Sequence, residues 1–316
     1  MEMTAPELAS HVRGEFSKII VGQRHALDQV LLVFLARGHA LIEGVPGLAK
    51  TLAVKTLAHI FRLQFQRVQC TPDLIPGDIL GGNVFDQSTG SFRIHRGPIF
   101  TDMLLVDEIN RMPPRTQSAL LEAMEELQVT IDGTSHALPR TFTVFATQNP
   151  VEFEGTYPLP EAQLDRFLMK IRIDYPESPQ ESEILTRYQD GFDARNFERV
   201  QVDPVPEQVV DVVRDEIARV RVEPKLLDYI VSIVRATRNS PAVSLGASPR
   251  AAIAMMLVAK AIAAIEGRDF LIPDDAKNAA LPILRHRMML KPEADLEGIT
   301  PDQIIAEVLA ATAVPQ

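Results

Sequence analysis

The feature that most constrains this chain is the octet Gly44-Val45-Pro46-Gly47-Leu48-Ala49-Lys50-Thr51. It follows the apolar run His39-Ala40-Leu41-Ile42 and opens the helical pattern Thr51–Phe61. A glycine-bearing loop between a strand and a helix presents backbone N–H groups and the positive end of the helix to an anion. Gly44, Val45, Pro46, Gly47, Leu48 and Ala49 would surround a triphosphate, Lys50 would reach its terminal phosphates, and the Thr51 hydroxyl would ligate Mg²⁺. Ala49 stands where a glycine is usual, which is compatible with the loop if position 49 has negative φ at the helix start. The simpler alternative is an ordinary strand-to-helix turn that happens to contain a lysine.

A second run, Met103-Leu104-Leu105-Val106-Asp107-Glu108, reads as a buried strand ending in two carboxylates. By itself such an ending is an ordinary solvated strand terminus. Beside a phosphate loop, Asp107 can hold the Mg²⁺ hydration shell and Glu108 can orient and deprotonate an attacking water.

Around these motifs, β-rich runs at 39–43, 64–70, 103–107, 143–147 and 168–173 alternate with helical periodicity up to residue 175. That pattern predicts an α/β architecture with a parallel sheet covered on both faces. Gly81–Phe100, with its Gln87-Ser88-Thr89-Gly90 turn, and Gln128–Phe142, with Asp132-Gly133, read as two hairpin insertions. Prolines at 176, 179, 204 and 206 suggest a linker over 176–204. Helices are expected at 207–219, 224–237, 249–265, 273–287 and 301–312, giving a small all-helical domain over 205–316.

Composition narrows the functional classes. The 316 residues carry 32 Lys+Arg against 42 Asp+Glu, and 46% are hydrophobic. The apolar content excludes intrinsic disorder, and the charge of −10 argues against a duplex-DNA binder that relies on bulk electrostatics. A single cysteine, Cys70, forms no internal disulfide and reads as a small core residue. No cationic segment with a following apolar run opens the chain and no membrane-spanning stretch occurs, so a cytoplasmic protein is expected. The histidines show no metal-binding spacing, and Arg285-His286-Arg287 with Lys291 reads as a basic cluster complementing a helix dipole.

Gly44–Thr51, Asp107-Glu108-Ile109-Asn110-Arg111, the run Gln117–Met124, Ala146-Thr147-Gln148-Asn149-Pro150 and Tyr157–Phe167 together resemble the MoxR family of AAA+ ATPases. The resemblance is dense from Val21 to Tyr175 and looser beyond, apart from Ser248-Pro249-Arg250. It implies a P-loop AAA+ αβα sandwich over 1–175 followed by a helical lid, with ATP and Mg²⁺ as ligands. It places Asn149 as sensor 1, Arg166 as the arginine finger reaching a neighbouring subunit's nucleotide, Arg250 as sensor 2 reading the γ-phosphate, and Gly22-Gln23 beside the adenine. It also implies a homo-oligomer, a hexamer, acting as an ATP-hydrolysing, chaperone-like motor on a protein client with a von Willebrand factor A-domain partner. A nucleic-acid motor and a nucleotide-gated binding module are the alternative functions.

Overall fold

The computed structural model describes residues 3–88, 90–150 and 155–315. Thr89, in the expected first hairpin turn, lies outside them. Two helices, α1 (Ala5–Ile19) and α2 (Arg24–Leu35), precede strand β1 (Ala40–Glu43). Helix α1 buries Leu8, Val12, Phe16 and Ile19, an i, i+4 stripe, and starts with a capping box in which Thr4 N–H donates to the Glu7 carboxylate at 2.8 Å.

Helix α3 (Lys50–Ile60), strand β2 (Phe65–Gln69) and the short helix α4 (Pro76–Leu80) follow, then the hairpin β3 (Gly81–Asp86) and β4 (Ser91–Arg96). After β5 (Met103–Asp107) and α5 (Pro114–Glu126) comes the second hairpin, β6 (Gln128–Ile131) and β7 (Thr134–Ala137). Strand β8 (Thr143–Gln148), α6 (Glu161–Leu164) and β9 (Met169–Arg172) complete this half.

The five long-expected strands form one parallel sheet in the order β2-β5-β8-β1-β9. Alternation along the strands divides their side chains between two cores. Met103, Leu105 and Phe145 enter the core built with α1, α2 and α3. Leu104, Val106, Val144 and Ala146 enter the core under α5 and the second hairpin. Both hairpins lie outside the main sheet and are joined where Asn83 donates to Asp132 at 2.8 Å.

The expected linker is largely ordered structure: α7 (Ser178–Gln189) and a 3-10 segment (Ala194–Arg199) occupy it. None of the α7 residues is buried in the core, so it carries no apolar stripe that periodicity could reveal. Beyond it lie α8 (Glu207–Arg219), α9 (Pro224–Asn239), β10 (Val243–Leu245), α10 (Pro249–Ile265), α11 (Pro273–Leu284), β11 (Met289–Leu290), α12 (Pro292–Leu296) and α13 (Pro301–Ala311). The lid is therefore helical with one small antiparallel pair, β10 with β11. Its core is continuous with that of α1–α3: Val213, Ala251, Met255 and Ile283 belong to the same buried cluster as Val12, Phe34 and Leu57. Among the described residues no helix is long and apolar enough to cross a membrane.

His39 illustrates how tightly the sheet is packed. Its Nδ1 accepts from the Val144 N–H at 2.9 Å and its Nε2 donates to the Met124 carbonyl at 3.1 Å, so the ring is neutral. Burial pushes its pKa down to about 4, against the pull of the Met124 hydrogen bond. An unfolded histidine titrates near 6.5, so between about 4 and 6.5 the unfolded chain holds a proton that the folded one does not. The His39 contribution is fully present above pH 6.5 and is lost as pH falls, by about 2 kcal/mol at pH 5. The buried His286 is shifted in the same direction. Urea midpoints should fall from pH 7.5 to pH 5, and His39→Gln should flatten that dependence.

Candidate functional site

The sheet order brings the carboxyl ends of β1, β5 and β8 together, the position where open parallel sheets bind ligands. A cleft of about 480 Å³ opens there, lined by Pro46, Gly47, Leu48, Ala49, Lys50 and Thr51 together with Asp107, Glu108 and Asn149. Gly44 and Val45 follow β1 directly, ahead of the turn at Pro46-Gly47, and the Lys50 ammonium donates back to the Gly44 carbonyl. The second wall is mostly apolar: Ile19 at the end of α1, with Ile20 and Val21 after it, lines the cleft with Ile184, Arg187 and Tyr188 of α7 and Phe192 from the loop behind it. Gln23 also lines the cleft, with its amide donating to the Asp174 carbonyl at 2.7 Å. Gly22 has φ +69°, and a Cβ there would sit 2.5 Å from Gln180 Oε1 of α7. The left-handed φ favours glycine there, and a larger residue would also make the Gln180 side chain move.

The expectation for Ala49 is overturned. Its φ is +59°, a left-handed conformation just before α3, so the missing glycine costs backbone strain. Among the described residues, seven non-glycine positions have positive φ, and Gln23, Ala49 and Glu108 all line this cleft. Strain collected at one cleft is a mark of a functional site. Ala49→Gly should raise stability by roughly 1 kcal/mol or less, the strain relief being partly offset by a looser unfolded chain. Its urea midpoint should rise with an unchanged slope; a fall would contradict the strain.

The two carboxylates are tied into a network that adds Arg67 and Gln69 to residues of the sequence motifs. Asp107 Oδ1 accepts from Thr147 at 2.5 Å, and Oδ2 accepts from Arg67 at 2.6 Å. Glu108 Oε2 accepts from the Gln69 amide at 2.8 Å and from Arg111 at 3.3 Å, while its backbone N–H donates to Thr147 Oγ1 at 2.9 Å. Arg67 and Gln69 are two apart on β2, hence on one face, directly beside β5. That spacing of polar residues on an edge strand was the available signal. Cys70, at the end of the same strand, is buried, and its thiol is pushed up to about 12 by burial and by the charges of Asp107 and Glu108. It is a protonated core residue at neutral pH. A threonine hydroxyl and carboxylate oxygens in one cleft are the hard oxygen donors that suit Mg²⁺, which keeps much of its own hydration shell.

Arg166 and Arg250 are not in this cleft. They meet at a separate depression of about 320 Å³, which shares no lining residue with the first. Glu125, at the end of α5, holds both: its carboxylate is 3.1 Å from Arg166 and 2.5 Å from Arg250. Arg250 opens α10 and is about half exposed. The structure thus separates Arg250 from the 44–51 loop and joins it to Arg166 through Glu125.

The cluster Arg285-His286-Arg287 does more than complement the dipole of α11, although Arg287 does donate to the Ile283 carbonyl near its end. Arg285 pairs with Asp302 at 3.1 Å, and His286 and Arg287 are buried against the segment that carries Arg166. Their partners are mostly backbone carbonyls, which leave no trace in a sequence.

Comparison with known proteins decides the family. Residues 39–169 match the model of the ATPase family associated with various cellular activities (AAA), and residues 235–308 match the AAA lid domain. The chaperone MoxR1 of Mycobacterium tuberculosis is 42% identical over 96% of this chain and 81% of its own length. The chain belongs to the MoxR family of AAA+ ATPases. A Bacillus subtilis protein, YeaC, is 45% identical over 95% of this chain and 92% of its own. A solved structure from Cytophaga hutchinsonii, described as a candidate ATPase, superposes with a TM-score of 0.90 at 42% identity, covering 99% of this chain and 96% of that one. The MoxR-family fold accounts for the sandwich, the two hairpins and the lid described above. The match to the lid model begins within α9, well past α7 and its cleft-lining residues.

Proposed function

We propose that this chain hydrolyses ATP in a ring of identical subunits and uses the turnover to remodel protein clients. The observation that carries this reading is the separation of the phosphate cleft from the Arg166–Arg250 pair. A subunit whose cationic residues stand apart from its own nucleotide can complete a neighbour's site in a head-to-tail arrangement, and such contacts close into rings.

In this reading the loop 44–49 and the start of α3 bind the phosphates, with Lys50 at the β- and γ-oxygens in exchange for its present contact with the Gly44 carbonyl. Thr51 and Asp107 are the residues that would hold Mg²⁺, which when bound would supply charge neutralisation at the phosphates. Glu108 takes the proton from the attacking water, and Asn149 places that water in line. Before attack, the Glu108 carboxylate exchanges its Gln69 and Arg111 partners for the water. Arg166 and Arg250 of the adjacent subunit leave Glu125 for the γ-phosphate oxygens and stabilise the charge developing there. The apolar wall of Val21, Ile184, Tyr188 and Phe192 receives the base, with Gly22 and Gln23 at its edge.

The hexameric ring, the von Willebrand factor A-domain partner and the protein client follow from the family resemblance, and the relative named a chaperone supports the same class of action. The test is a phosphate-release assay with and without Mg²⁺, sedimentation with and without ATP, and client capture in an ATP-trapped form. Mg²⁺-dependent release from a ring-sized particle supports the reading. Release from a monomer at full rate overturns the ring, and stimulation by DNA with sub-micromolar affinity at physiological salt would replace the protein client with nucleic acid.

A further inference from the structure

We propose that Arg287 of the lid is a positioning residue that fixes Arg166 and Arg250 as one unit, so that lid and core answer together to the neighbouring subunit's nucleotide. The inference rests on the reading of those two arginines as acting in trans, and goes beyond it by naming what holds them in register.

Arg287 follows the end of α11 and is only 9% exposed. A guanidinium has five N–H donors, and this one makes five hydrogen bonds. Its Nε donates to Asp165 Oδ1 at 2.7 Å. Nη2 donates to the carbonyls of Asp165 at 3.1 Å and Phe167 at 2.5 Å, and Nη1 to that of Leu168 at 3.1 Å. The remaining bond stays within the lid, to the Ile283 carbonyl at 2.6 Å. Four of the five therefore bracket Arg166 on both sides, at residues 165, 167 and 168. His286 adds a fifth bond to the same stretch, Nε2 donating to the Phe167 carbonyl at 3.0 Å.

The other oxygen of Asp165 accepts from the Ser248 hydroxyl at 2.9 Å. Ser248 is the N-cap of α10, and its Oγ accepts from the Arg250 N–H at 3.1 Å. The Asp165 carboxylate thus joins the segment bearing one arginine to the cap of the helix bearing the other. Glu125 closes the circuit by binding both guanidinium groups. Arg166, Glu125, Arg250, Ser248 and Asp165 form an unbroken loop of contacts, to which Arg287 is clamped at Asp165. A planar fork with five diverging donors can hold one carboxylate and several carbonyls at once; an ammonium with three donors cannot. A shift of about 1 Å in a transition-state contact costs on the order of 10²-fold in rate, so holding two arginines in register is a kinetic function and not only a structural one.

Arg287→Lys tests this, with Ser248→Ala as the milder companion, since that change leaves all five Arg287 bonds in place. In the full-length assembled protein, Arg287→Lys should lower kcat by about 10- to 100-fold while KM and the affinity for a fluorescent ATP analogue stay within about twofold. Ser248→Ala should lower kcat in the same way by a smaller factor. Mixing Arg287→Lys subunits with Lys50→Ala subunits should restore turnover, because the first keep an intact cleft and the second present intact arginines. Arg166→Ala mixed with Lys50→Ala is run beside it. If that control recovers and the Arg287→Lys mixture does not, the positioning role is overturned while the trans reading stands. If the control itself fails to recover, the trans reading falls and the proposal with it. A loss that appears in KM or in nucleotide binding, with kcat kept, also overturns it. Should Arg287→Lys fail to fold, an unchanged kcat in folded Ser248→Ala overturns the proposal, and a lowered kcat at constant KM supports it.

Discussion

Replacing Glu108 with glutamine should abolish ATP turnover, by at least about 10²-fold, while leaving ATP binding intact and enriching the assembled form. The substitution is close to isosteric, so the local fold is kept. The new amide oxygen can still accept from Gln69 and Arg111, which now hold the carboxylate at 2.8 Å and 3.3 Å. The backbone bond from residue 108 to Thr147 Oγ1 and its left-handed φ of 60° do not depend on the side-chain charge. What disappears is the ability to take a proton from water. Single-turnover phosphate release and equilibrium binding of ATP separate the two effects. Turnover at the original rate would remove Glu108 from the role of base, and Asp107, with one oxygen on Thr147 and the other on Arg67, is poorly placed to replace it.

Arg166→Ala should lower turnover by about 10³-fold without affecting nucleotide binding, and the loss should be complemented between subunits. The geometry makes the binding half of this expectation strict. Arg166 lines a depression that shares nothing with the phosphate cleft, so its removal leaves every cleft-lining side chain in place. Its loss also leaves Glu125 with Arg250 as partner, so no carboxylate is stranded. Mixed with Lys50→Ala subunits, which supply Arg166 but bind ATP poorly, the variant should regain part of its rate. Weakened ATP binding by Arg166→Ala, or no regain under conditions that exchange subunits, would count against action in trans.

The parts of the site that the sequence made legible are those whose chemistry sits at strand ends. Asp107, Glu108 and Asn149 each follow an apolar run, Lys50 and Thr51 follow the loop after another, and a parallel sheet brings such ends together at one edge. Helix α7 was not legible, because Ile184 and Tyr188 face a cleft instead of a core, and the remaining surface of α7 has no stripe to detect. Proline-rich flanks then made the segment look like a linker. Arg287 escaped for a different reason. A charge at a helix end reads as solvated unless its partners are known, and four of its five partners are backbone carbonyls. Arg250 was singled out through the Ser248-Pro249-Arg250 run, yet motif order carries no information about which face of the sandwich the lid covers.

The continuous core beneath α1–α3 and the lid has a consequence for how this molecule comes apart. Val213, Met255 and Ile283 on one side and Val12, Phe34 and Leu57 on the other bury one another's surroundings, and Arg214 reaches across to the Phe34 carbonyl at 2.8 Å. Cooperative units in proteins follow shared cores more than domain names. The lid is thus no detachable module: cutting the chain near residue 204 would strip the outer layer from the parallel sheet and leave two fragments, each with half an interior.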